Sequence, residues 1–189
     1  MPGQIKIDDG SGNYTILTNA GSLGSDKTIT IPNTTGTMAL TSDSFGKVLQ
    51  YVVATNAAVQ STTSTSYADI TNLTADITPS ATSSKIHIIF NDNFWINRSS
   101  TSLGGKYIIN KGGSDITATE QEIQLIIDGN SGNKSFYYTH HFEYVDSPST
   151  TSSTTYKVRF KANSGTTFYS QNGNKTASLI LMELAGWLQ

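Results

Sequence analysis

The hexapeptide Tyr156-Lys157-Val158-Arg159-Phe160-Lys161 sets three apolar or aromatic side chains in strict alternation with three cations. Successive side chains of an extended strand leave on opposite faces, so this is a strand with one buried face and one facing water. Ile86, Ile88 and Phe90 repeat the pattern against Lys85 and His87. Buried positions are therefore expected at Ile86, Ile88, Phe90, Tyr156, Val158, Phe160, Leu179 and Leu181, and wet ones at Lys157, Arg159 and Lys161. Helical periodicity is nearly absent. In residues 117–127, Ile123, Ile126 and Ile127 stand at helical spacing, yet the same run reads as a strand entering the turn cluster Asp128 to Asn133. A strand is expected there. The run Leu179-Ile-Leu-Met-Glu-Leu184 is apolar on both faces apart from Glu183, which places it centrally in a sheet or beneath a second subunit.

Composition supports an all-β chain. Ser (24) and Thr (27) dominate, Asn adds 14, and apolar residues make up only 36%. These polar residues suit strands and turns, unlike the Glu, Lys, Pro and Gln of disordered chains. A net charge of −2 argues against nucleic-acid binding, which needs clustered cations. No apolar run approaches the roughly 18 residues of a membrane span, so no membrane insertion is expected. Met1 to Gly10 carry Lys6, Asp8 and Asp9 and no apolar stretch, and no secretory signal is expected. With no cysteine there is no disulfide framework. The expected setting is extracellular or on a particle surface.

Two regions differ in character. In residues 1–46, short strand-like pieces (4–7, 14–18, 28–31 and 37–41) each bring two or three large apolar residues. Ile5, Ile7, Ile16, Ile29, Ile31, Met38 and Leu40 are too few for a private core, since even domains of about 60 residues are marginal. Packing against copies of the same segment would supply one, which makes these seven the expected interface of a short trimeric β-shaft. In residues 47–189 the strands lengthen, aromatics appear, and turn signals recur about every ten residues. That spacing fits an antiparallel β-sandwich or jelly-roll-like domain of roughly eight to ten strands.

The chain offers little for catalysis. His140 and His141 are neighbours on one strand, so their side chains leave on opposite faces and cannot share a metal; His87 lies on a polar face and is expected to be exposed. Three copies of one histidine around a threefold axis could hold a metal, and a solvated or packed strand histidine is preferred. The Asp128 turn loosely resembles a calcium loop, but Gly132 stands where the third oxygen ligand belongs and Thr139 where the bidentate Glu is required. It and the Asp9-to-Asn13 turn both read as hairpin turns. No nucleophile elbow, phosphate loop or dinucleotide fingerprint is present. Glu120, Glu122, Glu143 and Glu183 are the carboxylates open to glycosidase-type pairing. No catalytic residue, metal or cofactor is expected. Six N-x-S/T triplets occur, against roughly four expected by chance from this composition. For ligand binding, flat rings beside polar loops suit sugars. The candidates are Trp95, Asn97, Arg98, Asn130, Tyr137, Tyr169 and Asn172, with Tyr138 behind them and Arg98 and Lys106 as the nearby cations; for each aromatic a place in the core or an interface is the preferred alternative. The loops concerned are 97–106, 128–134 and 171–175.

The segment Thr28-Ile-Thr-Ile-Pro-Asn-Thr-Thr-Gly-Thr-Met-Ala-Leu-Thr-Ser-Asp43 resembles the β-structured repeat that ends the shaft of many tailed-bacteriophage tail fibres. Val48-Leu-Gln-Tyr-Val-Val-Ala54, Ser61 to Tyr67, Ala75-Asp-Ile-Thr-Pro-Ser80 and Ser83 to Ile86 resemble the start of a distal module of such virion proteins. Asp146 to Phe160 and Leu179 to Leu184 resemble its second half, and residues 91–142 resemble nothing nameable. The resemblance implies a homotrimeric, non-enzymatic virion protein, assembled in the host cytoplasm. Its amino end would join other virion proteins, and its distal domain would face a host polysaccharide or envelope protein. A decoration, head-fibre or baseplate/neck adaptor protein without a receptor is the alternative.

Overall fold

The computed structural model describes residues 5–8, 11, 14–17, 48–98, 102–126, 134–171 and 175–185. The chain divides into two compact units, Met1–Leu40 and Thr41–Gln189. In the first, strands β1 (Ile5–Asp8) and β2 (Tyr14–Leu17) pair antiparallel from Ile5↔Leu17 to Asp8↔Tyr14, as the hairpin reading expects. The backbones of Ile5, Ile7 and Ile16 belong to this pair, whereas Ile29, Ile31, Met38 and Leu40 lie outside the described residues.

The second unit is built wholly of strands among the described residues: β3 (Val48–Asn56), β4 (Gln60–Thr62), β5 (Ala68–Ile77), β6 (Lys85–Arg98) and β7 (Ser102–Lys111), then β8 (Ser114–Ile126), β9 (Lys134–Asp146), β10 (Thr154–Ala162), β11 (Thr166–Ser170) and β12 (Ala177–Leu184). One sheet runs β5-β10-β7-β8; the other runs β3-β12-β6-β11-β4, with β9 also on β6. The 14-residue β6 explains the second order. Along one edge it pairs β12 through Lys85 to Asn91, then β11 through Trp95 to Arg98; along the other it pairs β9 throughout, from Ile86↔Asp146 to Arg98↔Lys134. β3 lies beside β12 and β4 beside β11.

Counting β3 with β4 as one interrupted strand, and β11 with β12 as another, leaves eight strands that pair first with last, second with seventh, third with sixth and fourth with fifth. That is a jelly roll: one long antiparallel ribbon wound into two sheets. The tip of the ribbon is the β7–β8 turn, where Lys111↔Ser114 leaves Gly112 and Gly113 as a two-residue loop. Their φ values of 55° and 95° suit a primed turn, and Asn110 Oδ1 accepts a bond from Gly113 N at 3.1 Å.

The core follows the alternation. Ile86, Ile88, Phe90, Tyr156, Val158, Phe160, Leu179 and Leu181 are all buried, joined by Ile70, Leu73, Tyr107, Ile109 and Phe168. Residues 117–126 lie in β8, a strand as expected. β12 sits between β3 and β6, the central place its two-sided apolarity requires. Lys157, Arg159 and Lys161 do lie on the outer face, but they are half-buried rather than wet. Arg159 donates to both oxygens of Asp115 at 2.8 Å, to Asp69 Oδ1 at 3.0 Å and to the Tyr67 carbonyl at 2.8 Å. Lys157 pairs with Asp69 at 3.0 Å, and the Lys161 ammonium stands 4.4 Å from the centroid of the Tyr67 ring. Asp128 to Asn133, expected to be a hairpin turn, lie outside the described residues; β8 and β9, the described strands on either side, belong to different sheets and do not pair with each other.

Candidate ligand-binding surface

Register on the β9-containing sheet decides which side chains meet on its outer face. Trp95 stands opposite Tyr137 on β9 and opposite Tyr169 on β11. Their rings form a stack, with Trp95 and Tyr137 centroids 5.5 Å apart at 3° and Trp95 and Tyr169 3.8 Å apart at 26°. Three aromatics scattered across the sequence thus become one ladder. Trp95 is the middle ring, flanked by a tyrosine on either side, so its own face is not the platform a sugar would meet. The outer flank of the ladder is Tyr137, 54% exposed on the outermost strand. Asn97 is half-buried one row along, opposite Ser135 and Thr167. The backbone of Arg98 pairs with Lys134 and Thr166. Asn130 and Asn172 lie outside the described residues.

The same face carries other chemistry nearer β12. His87 Nε2 lies 2.7 Å from Glu143 Oε2, and His141 Nε2 lies 3.4 Å from Glu143 Oε1. These bonds hold the Glu143 carboxyl below its usual range, with the bond from His87 the larger cause. His87, expected to be exposed, is therefore a half-buried partner of Glu143. Beside it an apolar patch crosses four strands: Tyr51 and Val53 of β3, Ile180 and Met182 of β12, Ile89 of β6 and Val145 of β9. Tyr51 is 61% exposed, Val53 44% and Val145 52%.

Tyr138 leaves β9 on the opposite side from Tyr137. It faces the interior of the sandwich, stacked on Phe94 at 6.0 Å, yet is 53% exposed. The two sheets gape here, where β8 and β9 are the outermost strands, and an open pocket of about 420 Å³ lies between them. Phe94, Ile96, Ile123, Phe136 and Tyr138 make its apolar wall, and Glu122, Gln124, Thr139 and His140 complete it. His140 is half-buried, stacked on Tyr107 at 5.3 Å and 16°. Burial, reinforced by neighbouring His141, lowers its pKa and keeps the ring neutral.

No family model matches the chain, and no curated protein matches it. Among solved structures it is similar to that of infectious bursal disease virus Gx strain, with 10% identity and a TM-score of 0.34 over 79% of this chain and 43% of that one. A VP2 subviral particle of the same virus gives 14% identity and a TM-score of 0.34, over 80% and 42%. The chain spans less than half the length of either. A likeness this slight carries no inference about function.

Of the residues singled out from sequence, Trp95, Tyr137, Tyr169 and Asn97 share one face, and Tyr138 lies on the other. Lys106 is not part of a loop with Asn97: it lies within β7 on the second sheet and pairs with Glu120 at 2.7 Å and Glu122 at 3.3 Å. The four glutamates do not oppose one another across a groove. Glu120 and Glu122 share Lys106, Glu143 lies on the outer face of the other sheet, and Glu183 is buried. Among the described residues, no group of three or more His, Cys, Asp or Glu is placed to hold a metal, and no helix is long and apolar enough to cross a membrane.

Three buried carboxylates escaped the sequence reading. Asp92 accepts from Tyr107 Oη at 2.7 Å and from Gln171 N at 3.1 Å. Asp146 accepts from Tyr156 Oη at 2.6 Å and Lys111 Nζ at 3.0 Å. Glu183 accepts from Ser80 N and Oγ and Gln50 Nε2, each at 2.6 Å, and from Ser84 Oγ at 2.7 Å. The signal was present. Asp92 continues the series Ile86, Ile88, Phe90, and Glu183 continues Leu179, Leu181, so strict alternation already places both inside.

Proposed function

We propose that the chain is a non-enzymatic structural protein of a tailed-bacteriophage virion. Its amino-terminal unit joins other virion proteins, and its jelly roll faces the host surface. The amino-terminal repeat and the distal segments that resemble tail-fibre proteins support the virion setting. The observation that carries the surface role is the Tyr137–Trp95–Tyr169 ladder, exposed at its Tyr137 end on an outermost strand. Rigid rings of this kind cover apolar sugar faces at low rotamer cost. One shallow site gives about millimolar affinity, and several copies on one particle raise it through effective concentration. Tyr137→Ala with Tyr169→Ala should reduce particle adsorption to host cells by at least about tenfold while leaving assembly intact; unchanged adsorption would remove the receptor role.

The second reading, a decoration or adaptor protein without a receptor, is favoured by a different feature. The Tyr51–Val53–Ile180–Met182–Ile89–Val145 patch suits contact between copies of this chain, because contiguous exposed apolar surface marks interaction sites. The homotrimer belongs to both readings. Antibody labelling of the particle, at tail tip, neck or head, separates them.

A further inference from the structure

We infer that the pocket between β8 and β9 is a binding site for a single neutral pyranose. The proposal rests on the attachment reading only in naming a glycan as the source of that sugar. A pyranose has one apolar face of C–H groups and a rim of uncharged hydroxyls, and the pocket offers a counterpart to each. The ring of Tyr138, more than half exposed and braced from behind by Phe94, is a platform for the apolar face. Ile123 and Phe136 extend that wall.

The hydroxyls would meet polar groups of two strand edges. Among the described strands β8 and β9 are each outermost in their sheets, so the backbone of Glu122 to Gln124 on one side, and of Thr139 and His140 on the other, has a described ladder partner on one edge only. Glu122 shares Lys106 with Glu120, at 3.3 and 2.7 Å, and no described residue lining the pocket is a lysine or arginine. A site with one aromatic platform, hydrogen-bonding edges and no cation in its lining suits a polyol and disfavours an anion. At about 420 Å³ it falls within the range of small-ligand pockets. It differs from the outer-face ladder in kind: Tyr138 offers a free ring face inside a recess, whereas Trp95 is covered on both sides.

The test is titration of the full-length chain with methyl pyranosides of glucose, galactose, mannose and N-acetylglucosamine. Saturation-transfer NMR and the His140 ring resonances report binding. At least one neutral pyranoside should bind with a Kd on the order of 1–10 mM. Tyr138→Ala should weaken it at least tenfold, and Ile123→Trp, which fills the recess, should abolish it. Lys157→Ala, on the outer face of the other sheet, should leave it unchanged. No binding by any of the four sugars up to about 100 mM would overturn the proposal. So would binding indifferent to Tyr138→Ala and Ile123→Trp in folded protein, or occupancy of the pocket by an extended peptide or an alkanoate instead. Sugar binding that survives in a chain whose particles adsorb normally without the outer ladder would leave this site standing and remove the ladder's receptor role. Adsorption that needs the ladder, with no sugar in the pocket, would do the reverse.

Discussion

Glu183 is fully buried and receives four hydrogen bonds. Burial alone would raise its pKa, but the bonds from Ser80, Ser84 and Gln50 outweigh it and hold the carboxyl below its ordinary range. A folded-state pKa below the unfolded one gives stability that is present above the unfolded value and is lost as pH falls through the folded one. Glu183→Gln should cost about 2–4 kcal/mol near neutral pH, because an amide cannot accept all four donors. It should also flatten the acid limb of a pH–stability curve; an unchanged acid limb would contradict this. Asp92 works in the other sense. Burial raises its pKa above the usual carboxylate range despite bonds from Tyr107 and Gln171, so its contribution falls as pH rises from its unfolded to its folded value. Phe160→Ala, deep in the core, should cost about 3–5 kcal/mol by urea denaturation. Lys161→Ala, which loses the contact over the Tyr67 ring and a charge near Glu120, should cost about 0.5 kcal/mol, and equal effects at the two sites would show the register to be wrong.

β3 is an outermost strand of its sheet among the described strands. It pairs with β12 alone among the described strands, carries no charge from Val48 to Asn56, and turns Tyr51 and Val53 outward. Natural proteins seldom leave such an edge bare. If copies of this chain meet there, Val53→Glu should convert the expected trimer to monomers in native mass spectrometry at micromolar concentration. A monomeric wild-type mass would end the trimer proposal outright. The strands themselves were legible because their period of two is written in single residues: Tyr156, Val158 and Phe160 on one side, Lys157, Arg159 and Lys161 on the other. Two things were not. Pairing is a long-range choice, so nothing local says that Asp128 to Asn133 lies between strands of different sheets, or that Trp95, Tyr137 and Tyr169 share a row. Solvation is also set by neighbours across the sheet: Arg159 has the alternation of a wet residue, but Asp69 and Asp115 arrive from β5 and β8 to enclose it.

The jelly roll pairs its first strand with its last, Val48 with Leu184 and Asn56 with Ala177. A ribosome therefore releases β3 on the order of 130 residues before its partner exists, a delay of roughly 7–26 s at about 5–20 residues per second. Through that interval the nascent chain holds an uncharged, β-branched strand with both edges unpaired. The β7–β8 hairpin, closed by Gly112 and Gly113, needs no such wait and is the natural place for pairing to begin, spreading from the tip of the ribbon toward its ends. Closure of so long a loop is slow, and chains of this topology spend that time open to one another. A chain ending at Gln171 should stay unfolded, and co-expression with a holdase should raise the yield of the full-length protein more than slower induction does. Its vulnerability is one of timing: the strand made first is the one that must wait longest.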